Sequence, residues 1–280
     1  MRSFLCIAIF AAALPAFGQA AAGAATISLV TDGVERSYRL YVPAGYGSER
    51  LPLVLAFHGA GGSPEGLAEL TGFDALADRE RFAVAYPAGV FADSSSARSW
   101  NASAGDGVND VQLARDVIAD VGARLAVDAE RIYVTGFAAG ARLASRLACE
   151  LADVLAAAAP VAGLQYPDGC VPAAPISIVA FHGKADAVHR YARIEGSAPE
   201  WRTSFETAAE GWRKALECPA GAMEGGFARE PSLVVRVYPP CAGGADFMLY
   251  VSETDGHVWP AGAVERIATF FRSRKRRPRD

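Results

Sequence analysis

Arg131-Ile132-Tyr133-Val134-Thr135-Gly136-Phe137-Ala138-Ala139-Gly140 reads as a strand, a sharp glycine-flanked turn, and a helix beginning at Ala139. A turn of this kind holds a nucleophilic side chain clear of a sheet edge in the pattern G-x-S-x-G. Both glycines stand where the turn crowds side chains against its neighbours, but the middle position is Ala138. A methyl group cannot attack a carbonyl, so the position made for a nucleophile lacks one.

Other segments carry the rest of such a site. His182-Gly183-Lys184-Ala185-Asp186 follows one apolar strand, and Gly256-His257-Val258-Trp259-Pro260 follows the last one. Position 138, Asp186 and His257 thus run in the order nucleophile, acid, base. His257 would take the proton of an attacking hydroxyl and return it to the leaving group, while Asp186 fixes its tautomer and stabilises its cationic form. A lone aspartate after a strand is usually a turn cap, and a lone histidine a satisfied imidazole. Three such positions in this order, each at a strand end, favour catalysis. His58-Gly59-Ala60-Gly61-Gly62 follows an early strand. There the amides of Gly59 and Ala60, with that of Ala139, could face a developing oxyanion. The Walker lysine and Gly-x-Gly-x-x-Gly are both absent, which argues against a phosphate cradle, and His58 suits loop organisation better than catalysis.

Alternating stretches Thr26–Val30 and Arg36–Val42 around Asp32-Gly33 predict an antiparallel pair, and Leu53–Phe57 and Phe82–Tyr86 predict buried strands. Ser63-Pro64-Glu65 caps a helix, and Val108 to Leu125 is amphipathic at helical spacing. Ala88 to Gly107 reads as a long surface loop containing Trp100 and Asn101. Further strands are expected at Ala156–Ala162, Ile176–Phe181, Leu233–Tyr238 and Phe247–Val251, with helices at Ser204–Leu216 and Ala263–Ser273. The alternation implies one α/β domain with a mostly parallel, doubly wound sheet, whose ligands collect at the carboxyl ends of the strands.

Composition is that of a globular protein: 51% hydrophobic, 21% charged, net charge −4. That balance excludes nucleic acid as a partner. Arg2, the apolar run Phe4 to Phe17 and the small residues Gly18, Ala20 and Ala22 read as a secretory signal over 1–22, cleaved near 18–22. The run is too short for a comfortable bilayer span, so residues 23–280 are expected as an exported or periplasmic domain, a monomer without membrane insertion. Its basic tail, 272–280, is expected to fray into solvent, with an anionic contact as the lesser reading. Cys6 leaves with the signal. Cys149, Cys170, Cys218 and Cys241 remain, an even number that suggests two disulfides with three connectivities open. Sequential pairing is the natural choice, since each pair would tie a helix to the segment after it. No Cys-x-x-Cys spacing points to zinc or redox work, and no metal or cofactor is expected.

Phe57-His58-Gly59-Ala60-Gly61-Gly62-Ser63, Val108-Asn109-Asp110-Val111, Tyr133–Gly140, His182-Gly183-x-x-Asp186 and Gly256-His257-x-Trp259-Pro260 together resemble the polyhydroxybutyrate-depolymerase-like esterases. That group overlaps with bacterial feruloyl and acetylxylan esterases of the LpqC type. The resemblance covers nearly all of 23–280. It implies an α/β-hydrolase fold, hydrolysis of carboxylic esters outside the cytoplasm, and disulfides Cys149–Cys170 and Cys218–Cys241. Two positions depart from the family pattern: Asn109-Asp110 stands where paired acids are usual, and Ala138 where the serine belongs.

Ser145 lies two turns down the following helix and cannot replace the serine, and Ser103 has neither a strand nor an elbow glycine before it. The alanine is accounted for by an engineered silencing substitution, a natural loss, or a single-base sequence error. Retention of Asp186, His257 and the glycine loop argues against long drift and favours the first over the second. Trp100, Asn101 and Trp259 are candidates for lining an acyl or aryl pocket, weighed equally against packing under a loop. With no appended binding module, a small or oligomeric ester, aryl or acyl and including esters on plant polysaccharide, is a better expected substrate than an insoluble polymer. The alternative is a non-catalytic ester- or sugar-binding pseudoenzyme on the same fold.

Overall fold

The computed structural model describes residues 21–47, 49–91, 98–102, 107–192 and 203–277. Residues 1–20, which hold most of the segment expected to be a secretory signal, Ser103, and tail residues 278–280 lie outside them. Among the described residues twelve strands and six α-helices follow one another. β1 (Gly23–Thr31) and β2 (Val34–Val42) form a hairpin closed by Asp32-Gly33, with Thr31 facing Val34. β3 (Leu51–Phe57) leads through the glycine loop to α1 (Pro64–Thr71) and α2 (Phe73–Glu80). Ser63 caps α1 by accepting the Gly66 amide, with Pro64 in the first turn.

β4 (Ala83–Pro87) is followed by a small ribbon, β5 (Val90–Phe91) with β6 (Arg98–Ser99), inside the stretch expected to be loop. α3 (Asp110–Arg124) starts at Asp110 rather than Val108, because Asn109 is its N-cap and accepts the Gln112 amide. Then come β7 (Val127–Phe137), α4 (Ala139–Glu150), β8 (Ala157–Val161), β9 (Ser177–Gly183), α5 (Phe205–Ala215), β10 (Met223–Phe227), β11 (Glu230–Val237), β12 (Phe247–Ser252) and α6 (Ala263–Arg272). The sequence pattern did not announce α2 or β10. The first is only eight residues long, and the second, Met-Glu-Gly-Gly-Phe, has little strand propensity and is ordered by pairing with β11.

Ten strands make one sheet in the order β1-β2-β4-β3-β7-β8-β9-β12-β11-β10. In this order the six strands from β4 to β12 run parallel to one another, and antiparallel strands finish both edges. The parallel strands are buried on both faces, which is why they read as continuous apolar runs. One face carries α3, α4 and α5 over a core that includes Leu113, Leu143, Phe205 and Trp212. The other carries α1, α2 and α6 over Leu67, Phe73, Ile267 and Phe271. Each such side chain contributes about 1.5–3 kcal/mol by leaving water. The sheet therefore fixes its strand ends firmly, and β3, β7, β9 and β12 all end on one edge.

Disulfides join Cys149 at the end of α4 to Cys170, and Cys218 after α5 to Cys241 ahead of β12. The basic tail departs from expectation. Instead of fraying, Arg272 pairs with Glu80 at 2.8 Å, Arg274 with Asp246 at 2.8 Å and Lys275 with Glu130 at 3.0 Å. Arg276 donates its amide to Glu130 O, and Arg277 its guanidinium to Gly243 O. Exposed pairs are individually weak, but several in series with a main-chain bond dock the segment on the body. Among the described residues no helix is long and apolar enough to cross a membrane.

Candidate active site

The turn between β7 and α4 is dictated by two glycines. A Cβ at Gly140 would lie 2.0 Å from Phe57 O, and one at Gly136 would lie 2.4 Å from the Gly140 carbonyl. No larger residue fits without moving β3 in the case of Gly140, or the start of α4 in the case of Gly136. Between them Ala138 adopts φ 52° and ψ −113°, a conformation that costs an alanine on the order of 1–3 kcal/mol. Its amide donates to Val161 O at 3.0 Å, and its carbonyl accepts from Ala141 and Arg142 as α4 begins. The strain is thus imposed by the neighbouring strand and helix and persists without a nucleophile. Ala139 opens α4, where a first-turn amide has no partner within its own helix and the helix dipole favours negative charge.

Asp186 sits in the turn after β9, 1% exposed. Its Oδ1 accepts the amides of Val188 and His189, each at 2.8 Å, and its Oδ2 lies 2.8 Å from His257 Nδ1. Burial by itself would raise this carboxyl. The His257 bond and the two amides outweigh it and hold Asp186 below the ordinary carboxylate range. The His257 ring lies 5.1 Å from that of Phe137, the residue before Ala138. Phe137 in turn meets Trp259 at 6.5 Å, and Trp259 packs on Phe73.

The glycine loop borders the same turn, since a Cβ at Gly59 would stand 3.6 Å from that of Ala138. His58 is 2% exposed and organises this loop. Its Nε2 accepts the Gly89 amide at 3.0 Å, so the ring proton sits on Nδ1, which donates to Gly59 O at 2.7 Å. Burial, the largest influence, pushes His58 below the ordinary imidazole value. The exposed Ala60 follows.

Trp100 and Asn101 are occupied by internal contacts. The Trp100 indole donates to His58 O at 2.7 Å and packs on the rings of His58 and Phe57. Asn101 donates its amide to Asp110 Oδ2 at 2.6 Å and its side chain to Val108 O. Ser145 donates to Ala141 O and accepts the Gln165 amide, which is a structural role within α4.

The structure adds residues that sequence reading passed over. Arg36, 5% exposed, donates to Asp110 Oδ1 at 2.7 Å and to Ala88 O at 3.2 Å. Its signal was present: Arg36 shares the inward phase of β2 with Tyr38, Leu40 and Val42, where a charge is anomalous. His182 and His189, both buried beside Asp186, form a second set. His182 Nε2 donates to His189 O at 2.9 Å, and His189 Nε2 to Thr203 O at 3.1 Å. Among the described residues no group of three or more His, Cys, Asp or Glu side chains could hold a metal ion.

A mostly parallel sheet with a strained strand–turn–helix and an acid–histidine pair at its strand ends defines an α/β-hydrolase. The Esterase PHB depolymerase family model matches residues 36–195, more than half of the chain, and the chain belongs to that family of carboxylic ester hydrolases. Feruloyl esterase B of Piromyces equi is 28% identical over 226 residues, 77% of this chain and 41% of that protein. Poly(3-hydroxyalkanoate) depolymerase C of Paucimonas lemoignei is 32% identical over 129 residues, 45% of this chain and 31% of the other. The matched part thus spans less than half the length of either relative. An acetyl xylan esterase from Aspergillus awamori has the same fold, with a TM-score of 0.67 at 16% identity over 88% of this chain and 99% of that one.

Proposed function

We propose that this chain carries the ester-hydrolysing site of an exported serine-type carboxylesterase, complete but for the nucleophile oxygen at Ala138. The observation that carries the reading is the Asp186–His257 bond of 2.8 Å beside a turn held at φ 52°. With a serine at 138, His257 Nε2 would accept the hydroxyl proton as Oγ attacks the ester carbonyl. Asp186 would hold the imidazole by Nδ1, and the amides of Gly59, Ala60 and Ala139 would receive the oxyanion. His257 would then return the proton to the leaving alcohol, and water would release the acid by the same route. As written, the chain binds an ester and leaves it intact. The substrate class is a soluble acyl or aryl ester or a short oligomer, esters on plant polysaccharide included, in keeping with the names of the relatives. Export is supported by the 1–22 segment and by two disulfides in an otherwise ordinary domain.

The test compares this chain with Ala138→Ser on p-nitrophenyl acetate and methyl ferulate. Activity only in the serine form supports the reading, by on the order of a million-fold in turnover. Activity in neither favours a binding protein that uses the old pocket. Substantial turnover by the chain as written would reveal another nucleophile and overturn the assignment of position 138.

A further inference from the structure

The three amides assigned to the oxyanion belong to peptide planes, and two of those planes are each pinned by an aromatic nitrogen. A trans peptide points its C=O and the following N–H in opposite directions, and the described chain has no cis bond. Whatever holds His58 O therefore also aims Gly59 N–H, and whatever holds Gly59 O aims Ala60 N–H. Trp100 Nε1 holds the first at 2.7 Å; His58 Nδ1 at 2.7 Å and the Gly62 amide at 3.0 Å hold the second.

Both aromatic rings are fixed by one buried cation. On one branch, Arg36 Nη2 donates to Asp110 Oδ1, Asp110 Oδ2 accepts the Asn101 amide, and Asn101 adjoins Trp100. On the other, Arg36 Nη2 donates to Ala88 O, and the next residue, Gly89, donates its amide to His58 Nε2. The branches meet again where the two rings pack 4.8 Å apart. The circuit runs from β2 through the ends of β4 and β6 and the first turn of α3 to the loop after β3. It is costly, because Nε and Nη1 of Arg36 are buried without hydrogen-bond partners. Four aliphatic side chains would fill the same volume more favourably, but none could orient a peptide plane.

We propose that Trp100 is a positioning residue for ester hydrolysis: its indole N–H sets the plane carrying the Gly59 amide, and the Arg36–Asp110 pair clamps it there. The inference rests on the reading of the site given above. It assigns Trp100 to aiming the oxyanion donors rather than to lining a substrate pocket.

The experiment uses the full chain with Ala138→Ser, alone and combined with Trp100→Phe, which keeps an aromatic ring and removes the donor. Kinetics on p-nitrophenyl acetate are read beside the inhibition constant of phenylboronic acid. Deleting an oxyanion donor outright costs about a hundred- to a thousand-fold in kcat. Loosening one should cost about ten-fold, with KM within about two-fold and boronate affinity falling in parallel with kcat. Unchanged kcat and boronate affinity would overturn the proposal. So would a raised KM at unchanged kcat, which would make Trp100 a pocket wall, or a kcat loss that leaves boronate affinity untouched. Should Trp100→Phe fail to fold, Trp100→Leu, which likewise removes the donor, is judged by the same criteria. An inactive Ala138→Ser parent would overturn the catalytic reading and the positioning role with it. An active parent that Trp100→Phe leaves unaltered would overturn the positioning role alone.

Discussion

Arg36 Nη2 and Asp110 Oδ1 meet at 2.7 Å with both side chains out of water, 1% and 0% exposed. Such a pair repays its desolvation only while both members are present. Asp110→Ala should therefore destabilise the fold by about 3–5 kcal/mol, because it strands a buried guanidinium and frees the Asn101 amide. Arg36→Met combined with Asp110→Leu should recover most of that stability, since it leaves no orphan charge. Urea unfolding of the three proteins measures the cycle. A double variant as unstable as Asp110→Ala would show that the loss comes from packing and not from the unpaired charge.

Ala138 gives a second prediction, about strain. At φ 52° and ψ −113° an L-residue is in a region that glycine enters freely. Relief of about 1–3 kcal/mol opposes the roughly 0.5–1 kcal/mol that glycine adds in unfolded-chain entropy. Ala138→Gly should therefore stabilise the protein by about 1 kcal/mol, while Gly140→Ala should leave it unfolded or severely destabilised. Denaturation midpoints at equal slope would decide. A destabilised Ala138→Gly would mean that the turn is relaxed in solution.

These two positions also show how far the sequence was legible. Gly136, Ala138 and Gly140 pointed to the elbow because a turn that crowds its neighbours needs glycine on both sides, and Asp186 and His257 follow in the matching chain order. Asp186 and His257 stood out because each follows an apolar run that can only be a strand. The parallel sheet was readable for the same reason. For Arg36 only the burial was marked, by its inward phase on β2; its partner was not, because Asp110 is 74 positions away and nothing local marks the pairing. Trp100 left two roles open, since an indole looks alike in sequence whether its N–H meets substrate or a carbonyl. The tail was read as frayed because its partners, Glu80, Glu130 and Asp246, come from three distant segments.

Acid should unfold this protein early. Burial pushes His182 down to about 4, and burial, aided by the nearby His182, pushes His189 down to about 3. His58 is lowered by burial as well. Unfolded histidines take up protons below about 6.5, while folded His182 and His189 wait until about 4 and about 3. Between those values the unfolded state binds about two more protons, so stability falls as pH falls. The slope should approach about 3 kcal/mol per pH unit toward pH 5. Asp186, held below its ordinary value, adds its loss only at lower pH. Unfolding free energy measured from pH 7 to 5 should show this slope, and His182→Gln should remove about one proton from it. A flat profile over that range would mean these imidazoles titrate in the folded state.

Ligand affinity follows from the same missing oxygen at position 138. An ester can place its carbonyl oxygen at the amides of Ala139 and of the Gly59–Ala60 turn whether or not a nucleophile stands beside it. A methyl in place of a hydroxymethyl only enlarges that space slightly, so ground-state binding should survive. Boronates and phosphonates are different, because their tightness comes from a bond to the serine oxygen that mimics the transition state. Calorimetry on the chain as written should therefore find an intact feruloyl ester and a matched boronate binding with similar, modest affinity. Ala138→Ser should tighten the boronate by about a hundred-fold or more, the low end of the advantage of transition-state analogues. A boronate that bound the alanine form far more tightly than the ester would require some other nucleophile within reach of His257. Ser145, the serine of α4, is not placed to serve, because it already spends its hydroxyl on Ala141 O and its lone pair on the Gln165 amide.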